Sequence, residues 1–221
     1  MSTKQRILDA SLQLFNDLGE RKVSTNAIAS HLDISPGNLY YHFNNKQAII
    51  YQLFLRYEAR VLDVLQVPTD RSLTITDKVR YLQAIFAGLW EYRFLHRDME
   101  HLLHDNAELH ARYQQFFRHC LARVADILRG LAAAHILRID EQDIDGLALN
   151  TWIVVTSWFS FLRCNLLQHD DDSLSPELLQ GGIYQVFMLE QPYLTDAYRE
   201  HMTQLQRQFM PRPEWLSTTQ S

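Results

Sequence analysis

No proline occurs between Pro68 and Pro176, and hydrophobic residues recur through that long stretch at helical spacing. Proline breaks the interior of a helix, because its ring removes an N–H donor and clashes with the preceding turn. Few segments of the chain show the alternation of hydrophobic and polar residues that a half-buried strand requires. The sequence therefore predicts an all-α protein, in which helices pack on one another.

Helix boundaries are marked most clearly near the N-terminus. Ser2 opens a capping box and Gly19 supplies a C-terminal stop, so the first helix lies between them. Ser24 caps a short second helix, Ser35-Pro36 opens a short third helix, and Asn44-Asn45 caps a long fourth one. Later in the chain, hydrophobic spacing and cap residues predict six more helices. These are Thr76–Phe94, Arg97–His104, Ala107–Ala134, Glu141–Gln168, Pro176–Gln191 and Thr195–Phe209.

The segment from Ser24 to Phe43 has the form of a helix-turn-helix. A short helix with one apolar face ends at Leu32, a tight turn with Ile34 pointing inward follows, and a second short helix begins at Pro36. In this motif the second helix enters the major groove of DNA, with its N-terminal residues nearest the base edges.

Polar residues at the helix starts and along the third helix suit contact with double-stranded DNA. Asn38 can bond to a base edge or a phosphate, and Gly37 removes a side chain where backbones approach closely. Tyr40, Tyr41 and His42 carry polar tips that can reach phosphates, and helix N-termini bind phosphates through their N–H groups. The predicted DNA-binding residues are Ser24, Thr25, Ser35, Pro36, Gly37, Asn38, Tyr40, Tyr41, His42 and Lys46.

Residues Arg6 to Ile50 resemble the DNA-binding domain of TetR-family transcriptional repressors. The residues that carry the resemblance, in order, are Ile7-Leu8-Asp9-Ala10, Leu14-Phe15, Gly19, Thr25, Ile28-Ala29, Leu32, Ile34-Ser35, Gly37 to Phe43, and Lys46. The resemblance implies a three-helix head that a long fourth helix joins to a larger helical bundle. It also implies a homodimer that often binds a small effector. We therefore expect a repressor that reads a pseudo-palindromic operator with the helix Pro36–His42, and no cofactor.

Charge is divided unevenly along the chain. The whole chain carries −5, which argues against a nucleic-acid binder, but residues 1–60 carry +2 and the remainder carries −7. Opposite signs in the two parts suggest two functions. We expect a DNA-binding domain at residues 1–46, an effector-binding and dimerisation domain at residues 47–210, and a flexible tail at residues 211–221.

Aromatic residues are concentrated in the larger domain, where they either fill the core or line an apolar pocket between helices. For an apolar or aromatic effector, the expected pocket residues are Trp90, Phe94, Phe117, Trp152, Thr156 and Phe159. The late helices Glu141–Gln168 and Pro176–Gln191 have more apolar surface than one small bundle covers, which predicts a two-fold interface between subunits. The expected interface residues are Trp158, Phe161, Leu162, Tyr184, Phe187 and Met188.

Other functions are less well supported. A histidine-rich segment, His96 to Glu108, has ligand-like spacing, but Asp105-Asn106 is expected to cap a helix there, so no metal site is predicted. No catalytic motif occurs, and the protein is not expected to be an enzyme. A helical adaptor or ligand-binding protein without DNA binding is the remaining alternative, and the complete helix-turn-helix pattern argues against it.

Compartment and membrane contact follow from the cysteines and the most apolar stretch. Cys120 and Cys164 are too few for a disulfide framework, and we expect both to be buried thiols in a cytoplasmic protein. The stretch Leu147–Leu167 is long enough to span a bilayer, but Arg163 within it would be costly in lipid. We therefore expect a buried helix there and no membrane contact.

Overall fold

The computed structural model describes residues 1–165 and 174–210. Ten α-helices and no β-strand occupy these ranges, so the predicted all-α class is confirmed. The helices are α1 (Thr3–Leu18), α2 (Thr25–His31), α3 (Pro36–His42), α4 (Lys46–Val64), α5 (Ile75–Glu91), α6 (Arg93–His104), α7 (Ala107–Ala133), α8 (Glu141–Asn165), α9 (Pro176–Glu190) and α10 (Asp196–Gln208).

Two of the sequence predictions extend beyond the described ranges. The predicted flexible tail, residues 211–221, and the last residues of the predicted helix Glu141–Gln168 lie outside them. Within residues 1–165 and 174–210, no helix combines the length and the apolar character that crossing a bilayer requires.

Polar caps begin the early helices where the sequence predicts. In each case the cap side chain accepts a hydrogen bond from the backbone N–H three residues later, at 2.8–3.2 Å. Gly19 ends α1 with a φ of 89°, a left-handed conformation that glycine adopts without strain. The four capping residues are Ser2, Ser24, Ser35 and Asn45.

The break between α5 and α6 differs from the prediction. The sequence indicates helices over Thr76–Phe94 and Arg97–His104, whereas the chain leaves helical geometry at Tyr92, with a φ of −110° and a ψ of 34°. The side chain of Asn16 hydrogen-bonds to backbone groups on both sides of this break. The predicted boundary is wrong because a contact from α1, distant in sequence, satisfies the backbone groups that the break exposes.

The described chain divides into two compact units. The first consists of Met1–Val61 and Glu91–Phe116, and the second of Leu62–Trp90 with the described residues from Phe117 onward. The functional division at residue 46 stays a prediction. In the first unit, α1 to α3 surround a core that also receives residues of α4 and α6. Its fully buried side chains include Ile7, Phe15, Ile28, Leu39, Ile49, Phe54 and Phe94.

In the second unit, α8 and α9 pack closely along their length. Gly182 on α9 permits this approach, since a Cβ built there would lie 2.5 Å from the Phe86 ring and 2.8 Å from the Trp158 ring. Lys78 on α5 and Glu190 at the end of α9 form a buried ion pair, with 5% and 3% of their side chains exposed. The unit therefore combines an apolar core with one buried charge pair that ties α9 to α5.

Candidate nucleic-acid interface

The helix-turn-helix is built from two seven-residue helices, α2 and α3, in the first unit. Apolar side chains hold them in place: Ile28 and Ala29 on α2 and Leu39 on α3 are buried. Phe43, directly after α3, is also buried, at 3% exposure. These contacts fix one face of α3 against the unit and leave the other face to solvent.

The turn between the two helices is fixed by backbone hydrogen bonds. The N–H of Ile34 donates to the carbonyl of Ala29 at 3.0 Å, and the N–H of Asp33 donates to that of Ser30 at 3.2 Å. Asp33 has a φ of 53°, in the left-handed region that Asp tolerates better than most residues. Ser35 then caps α3, and Pro36 occupies its first turn with a preset φ.

The outward face of α3 carries the side chains that the sequence predicts for DNA contact. Tyr41 is 85% exposed and Tyr40 is 46% exposed. Asn38 is exposed, and its side-chain amide makes no hydrogen bond within the described part of the chain. A Cβ at Gly37 would meet only the Ser35 hydroxyl, at 3.9 Å, so packing within the protein does not require glycine there. Any need for glycine at this position must come from outside the chain.

Hydroxyl groups of α2 and α3 meet at one edge of this face. Thr25 Oγ1 and the Tyr40 hydroxyl are 3.0 Å apart, and Ser24, next to Thr25, caps α2 through its own hydroxyl. His42 is half-buried, with its ring in edge contact with that of Tyr41, 5.1 Å between centroids. The structure thus brings nine of the ten predicted residues, from Ser24 to His42, onto the two helix starts and the outer surface of α3.

Lys46, the tenth predicted residue, has a different environment. Its ammonium group lies 2.7 Å from Glu20 Oε1 and donates to the Glu20 carbonyl at 3.0 Å. Glu20, which follows Gly19 in a short 3-10 helix, is buried. No pattern in the sequence joins these two residues, which are 26 positions apart. Two of the three donors of Lys46 are therefore engaged within the protein.

The predicted effector-pocket residues fall in both units. Phe94 belongs to the first unit, where its ring packs against Phe15 at 5.2 Å between centroids. The other five belong to the second unit. There Phe117 and Trp152 make an edge contact at 5.3 Å, and the Thr156 hydroxyl donates to the Trp152 carbonyl at 2.8 Å.

Of the predicted interface residues, some are buried by the chain itself. Trp158, Leu162 and Phe187 are at most 8% exposed. The Trp158 indole N–H donates to the Leu178 carbonyl on α9 at 3.5 Å, and the Phe187 ring packs against Phe209 at 6.0 Å between centroids. Phe161 and Met188 are 45% and 39% exposed, and Tyr184 is half-buried.

Two exposed apolar residues of α8 were not among those predictions. Leu149 is 41% exposed and Ile153 is 50% exposed. Leu149 and Ile153 are one helical turn apart, so the i, i+4 spacing in the sequence places them on one side of α8. The prediction that Cys164 is a buried thiol is wrong. This thiol near the end of α8 is exposed, whereas Cys120 is buried as predicted.

The histidine-rich segment does not form a continuous helical face. Asn106 caps α7, accepting from the Leu109 N–H at 3.0 Å, and so separates α6 from α7. His101 and Asp105 are neighbours at 3.4 Å. In residues 1–165 and 174–210 no group of three or more His, Cys, Asp or Glu side chains is arranged to hold a metal ion.

The fold and this site define a helical protein with an N-terminal helix-turn-helix, the architecture of a DNA-binding transcriptional regulator. Two family models match the chain. The model described as bacterial regulatory proteins, tetR family, matches residues 7–53, and the model described as bacterial transcriptional repressor, TetR, matches residues 56–202. The chain belongs to the TetR family of bacterial transcriptional regulators.

Solved structures give the same architecture. A TetR-family transcriptional regulator from Marinobacter aquaeolei VT8 is 45% identical, with a TM-score of 0.89, and the match covers 96% of this chain and all of that one. SmeT, the repressor of the Stenotrophomonas maltophilia multidrug efflux pump SmeDEF, is 22% identical with a TM-score of 0.66, over 89% of this chain and 92% of that one. The second likeness shows the fold alone.

Sequence relatives match only part of the chain. The regulator UidR of Escherichia coli K12 is 37% identical over 68 residues, which are 31% of this chain and 35% of UidR. The regulator SAUSA300_2515 of Staphylococcus aureus USA300 is 32% identical in an alignment 106 positions long, which covers 41% of this chain and 57% of that protein. The chain thus spans about a third to a little over half of these relatives.

Proposed function

We propose that the protein is a homodimeric, cytoplasmic repressor that reads a pseudo-palindromic operator with α3. The observation that carries the proposal is the outward face of α3, where Asn38, Tyr40 and Tyr41 are exposed beside the hydroxyl of Thr25. Asn is suited to bidentate bonds with adenine in the major groove, and hydroxyl groups suit phosphates. Asn38 would then read bases, and Thr25 with Tyr40 would hold the DNA backbone.

The exposed apolar residues of α8 and α9 support a dimer. Leu149, Ile153 and Phe161 are exposed apolar residues of α8, and Met188 adds an exposed apolar residue on α9. Exposed apolar residues on adjacent helices favour an interaction site, and a two-fold pairing of these helices would bury them in both subunits. Two heads held by one dimer would contact half-sites about one helical turn apart, ~34–36 Å, or a multiple of it.

The dimer is tested by measuring molar mass in solution by light scattering. The Phe161→Glu and Ile153→Glu variants place a charge on the exposed side of α8 and should convert the dimer to monomer, because a charge in the interface would be desolvated without a partner. Leu18→Glu, at an exposed apolar position of α1 (54% exposed), is the matched control and should remain dimeric. A monomeric wild-type protein at micromolar concentration contradicts this part of the proposal.

We also propose that an apolar or aromatic effector binds among the aromatic side chains of the second unit. Phe117 and Trp152 are in edge contact, and Thr156 follows Trp152 by four residues on α8, which supports an apolar site lined by rings and one hydroxyl. SmeT has been solved in complex with triclosan, which makes triclosan a reasonable first probe.

An effector of this kind would relieve repression. It must bind the DNA-free state more tightly than the DNA-bound state, and couplings of about 1–3 kcal/mol are typical. At saturation, triclosan or a related compound should raise the dissociation constant of the protein for DNA by about 5- to 150-fold. Trp152→Ala should abolish that response while leaving DNA affinity unchanged, and an equal response in that variant would remove Trp152 from the pocket.

Sequence-specific binding is tested by fluorescence anisotropy on DNA from upstream of the protein's own gene. The wild-type protein should bind that fragment at physiological salt more tightly than a scrambled one, by the 10³-fold or more that is typical of specific sites. Asn38→Ala should reduce this ratio, since each base contact contributes about 1–3 kcal/mol of discrimination. Equal binding of both fragments, across several candidate operators, would favour the adaptor alternative.

A further inference from the structure

Glu20 and Lys46 form a charged pair within the helix-turn-helix unit. Lys46 Nζ lies 2.7 Å from Glu20 Oε1 and donates to the Glu20 carbonyl at 3.0 Å. The two side chains differ in exposure, with 5% of Glu20 and 23% of Lys46 accessible. The ammonium group is thus partly open to solvent, while the carboxylate that neutralises it is buried.

The buried carboxylate of Glu20 restricts the position of the Lys46 ammonium group. The second carboxylate oxygen of Glu20, Oε2, is buried and has no hydrogen-bond partner within the described residues. A buried carboxylate is costly unless an opposite charge stays beside it. If Lys46 moved away to bind a phosphate, Glu20 would be left buried and unneutralised. Lys46 therefore stays beside Glu20, because its departure would leave the buried carboxylate without a counter-charge.

Charge on this part of the chain matters because DNA affinity follows the number of available cations. Lys46 begins α4, four residues after the end of α3, so it stands close in sequence to the predicted reading helix. Two more cations of residues 1–60 are also paired, Arg56 with Asp9 and Arg60 with Glu91. Three of the seven cations of residues 1–60 are therefore paired with an anion, and Lys46 is the one of these three nearest in sequence to α3.

We propose that Glu20 limits the affinity of this unit for DNA by neutralising Lys46. The inference rests on the proposed function, in which the unit binds DNA. A phosphate that approaches Lys46 meets an ammonium group already neutralised at 2.7 Å, so binding releases fewer counterions. The contacts of α3 with bases are unaffected. The pair therefore weakens binding to any DNA sequence by a similar factor, because phosphate contacts do not depend on sequence.

The test uses Glu20→Gln in the full-length protein. A glutamine oxygen can still accept the hydrogen bond from Lys46, so the geometry is preserved while the negative charge is removed. Anisotropy on a labelled duplex of arbitrary sequence, over a range of salt concentrations, measures the effect. We expect the salt slope to steepen by about 0.9, equivalent to roughly eightfold tighter binding at about 0.1 M salt. An unchanged slope in a folded variant overturns the proposal.

Asp9→Asn is the matched control for net charge. It removes one negative charge from the same unit and releases Arg56, which pairs with Asp9 at 2.7 Å. If the position of Lys46 matters, this control should change the slope by clearly less than Glu20→Gln does. Equal effects of the two variants would show that only bulk charge counts, and would overturn the assignment to Glu20.

The charge-neutral double variant Glu20→Gln/Lys46→Gln separates neutralisation from direct phosphate contact. Replacing one neutral pair by another should leave the slope at its wild-type value. A salt dependence shallower by about 0.9 in this double variant would mean that Lys46 contacts phosphate with its full charge in the native protein, which contradicts the proposal. Thermal unfolding followed by circular dichroism checks that each variant folds.

The outcomes distinguish this inference from the proposed function. If the native protein binds neither the arbitrary duplex nor the upstream fragment, the proposed function fails and this inference fails with it. If the native protein binds DNA specifically and Glu20→Gln behaves as the native protein does, only the inference about Glu20 fails.

Discussion

The Asn16 side chain accepts a hydrogen bond from the Phe94 N–H at 3.1 Å, across 78 positions of sequence. Its amide nitrogen donates to the Glu91 carbonyl at 2.7 Å, so one side chain serves both sides of the break between α5 and α6. Asn is well suited to this task because its amide carries a donor and an acceptor together. The break at Tyr92 therefore belongs to the tertiary structure of the first unit.

Removing this amide should destabilise the protein. Asn16→Ala leaves two backbone groups without their partner, which costs about 1–3 kcal/mol for each unsatisfied buried group. Because both hydrogen bonds are only partly buried, the free energy of unfolding, measured in urea, should fall by about 1–3 kcal/mol in total. Gln13→Ala, at an exposed position of the same helix, is the control and should change the stability little. Equal stability of the two variants would show that water replaces the amide without loss.

Two glycines in the second unit should respond to alanine in opposite ways. At Gly182 an added Cβ would lie 2.5 Å from the Phe86 ring of α5 and 2.8 Å from the Trp158 ring of α8, so α9 must move away or the rings must shift. Overpacking of this kind costs about 1–3 kcal/mol. At Gly146 on α8 nothing lies within 4 Å, and alanine should stabilise the helix by about 0.5–1 kcal/mol. Thermal unfolding of Gly182→Ala and Gly146→Ala checks both signs, and a stabilised Gly182→Ala would contradict the close helix approach.

The buried pair Lys78–Glu190 should show strong coupling. Lys78→Met leaves Glu190 charged and desolvated, which costs about 3–5 kcal/mol. The double variant Lys78→Met/Glu190→Met should recover most of that loss, because a packed apolar pair replaces the ions. Glu141→Gln, in an exposed pair with Arg129, should have little effect. If chemical unfolding showed that the double variant loses as much stability as the two single variants together, the two charges would not be coupled.

His96 should make the protein less stable in mild acid. Burial lowers the pKa of His96 to about 4 from its ordinary 6.5, and its Nε2 lies 3.0 Å from the Tyr57 hydroxyl. As pH falls from about 6.5 to about 4, the unfolded chain binds a proton at this residue and the folded chain does not. The free energy of unfolding therefore decreases over that window, by up to about 3 kcal/mol.

The measurement is urea unfolding at a series of pH values. The His96→Gln variant should show a flatter dependence between pH 6.5 and 4 than the native protein, whatever its absolute stability. His119→Gln, at an exposed position, should retain the native slope. The same slope in His96→Gln and in the native protein would remove His96 as the cause.

The fold and the family could be predicted from the sequence because their signals are local. Ser24, Ser35 and Asn45 cap helices through backbone groups three residues away, and the helix-turn-helix pattern lies within twenty residues. A seven-residue helix with a buried Leu39 and polar neighbours is visible in the order of residues alone. Such features need no knowledge of the rest of the chain.

What the sequence could not indicate depends on contacts between distant positions. The break at Tyr92 is stabilised from α1, and Lys46 is neutralised by a glutamate 26 residues earlier. The apolar character of α8 was recognised, but which side faces solvent was not. Cys164 and Ile153 are exposed because α9 covers the opposite side of that helix. Side-chain type predicts that a helix is buried, and only the packing partner determines which face.

Recognition of an operator by α3 in a symmetric dimer can be measured by a footprint of the protein on DNA from upstream of its own gene. We expect two protected half-sites related by two-fold symmetry, with centres about one helical turn (~34–36 Å) apart or a multiple of it. Asn38→Ala should lose protection in both half-sites together, because each subunit of the dimer presents the same α3. Protection of a single asymmetric site, or a footprint unchanged by Asn38→Ala, would contradict the reading of DNA by this helix in a symmetric dimer.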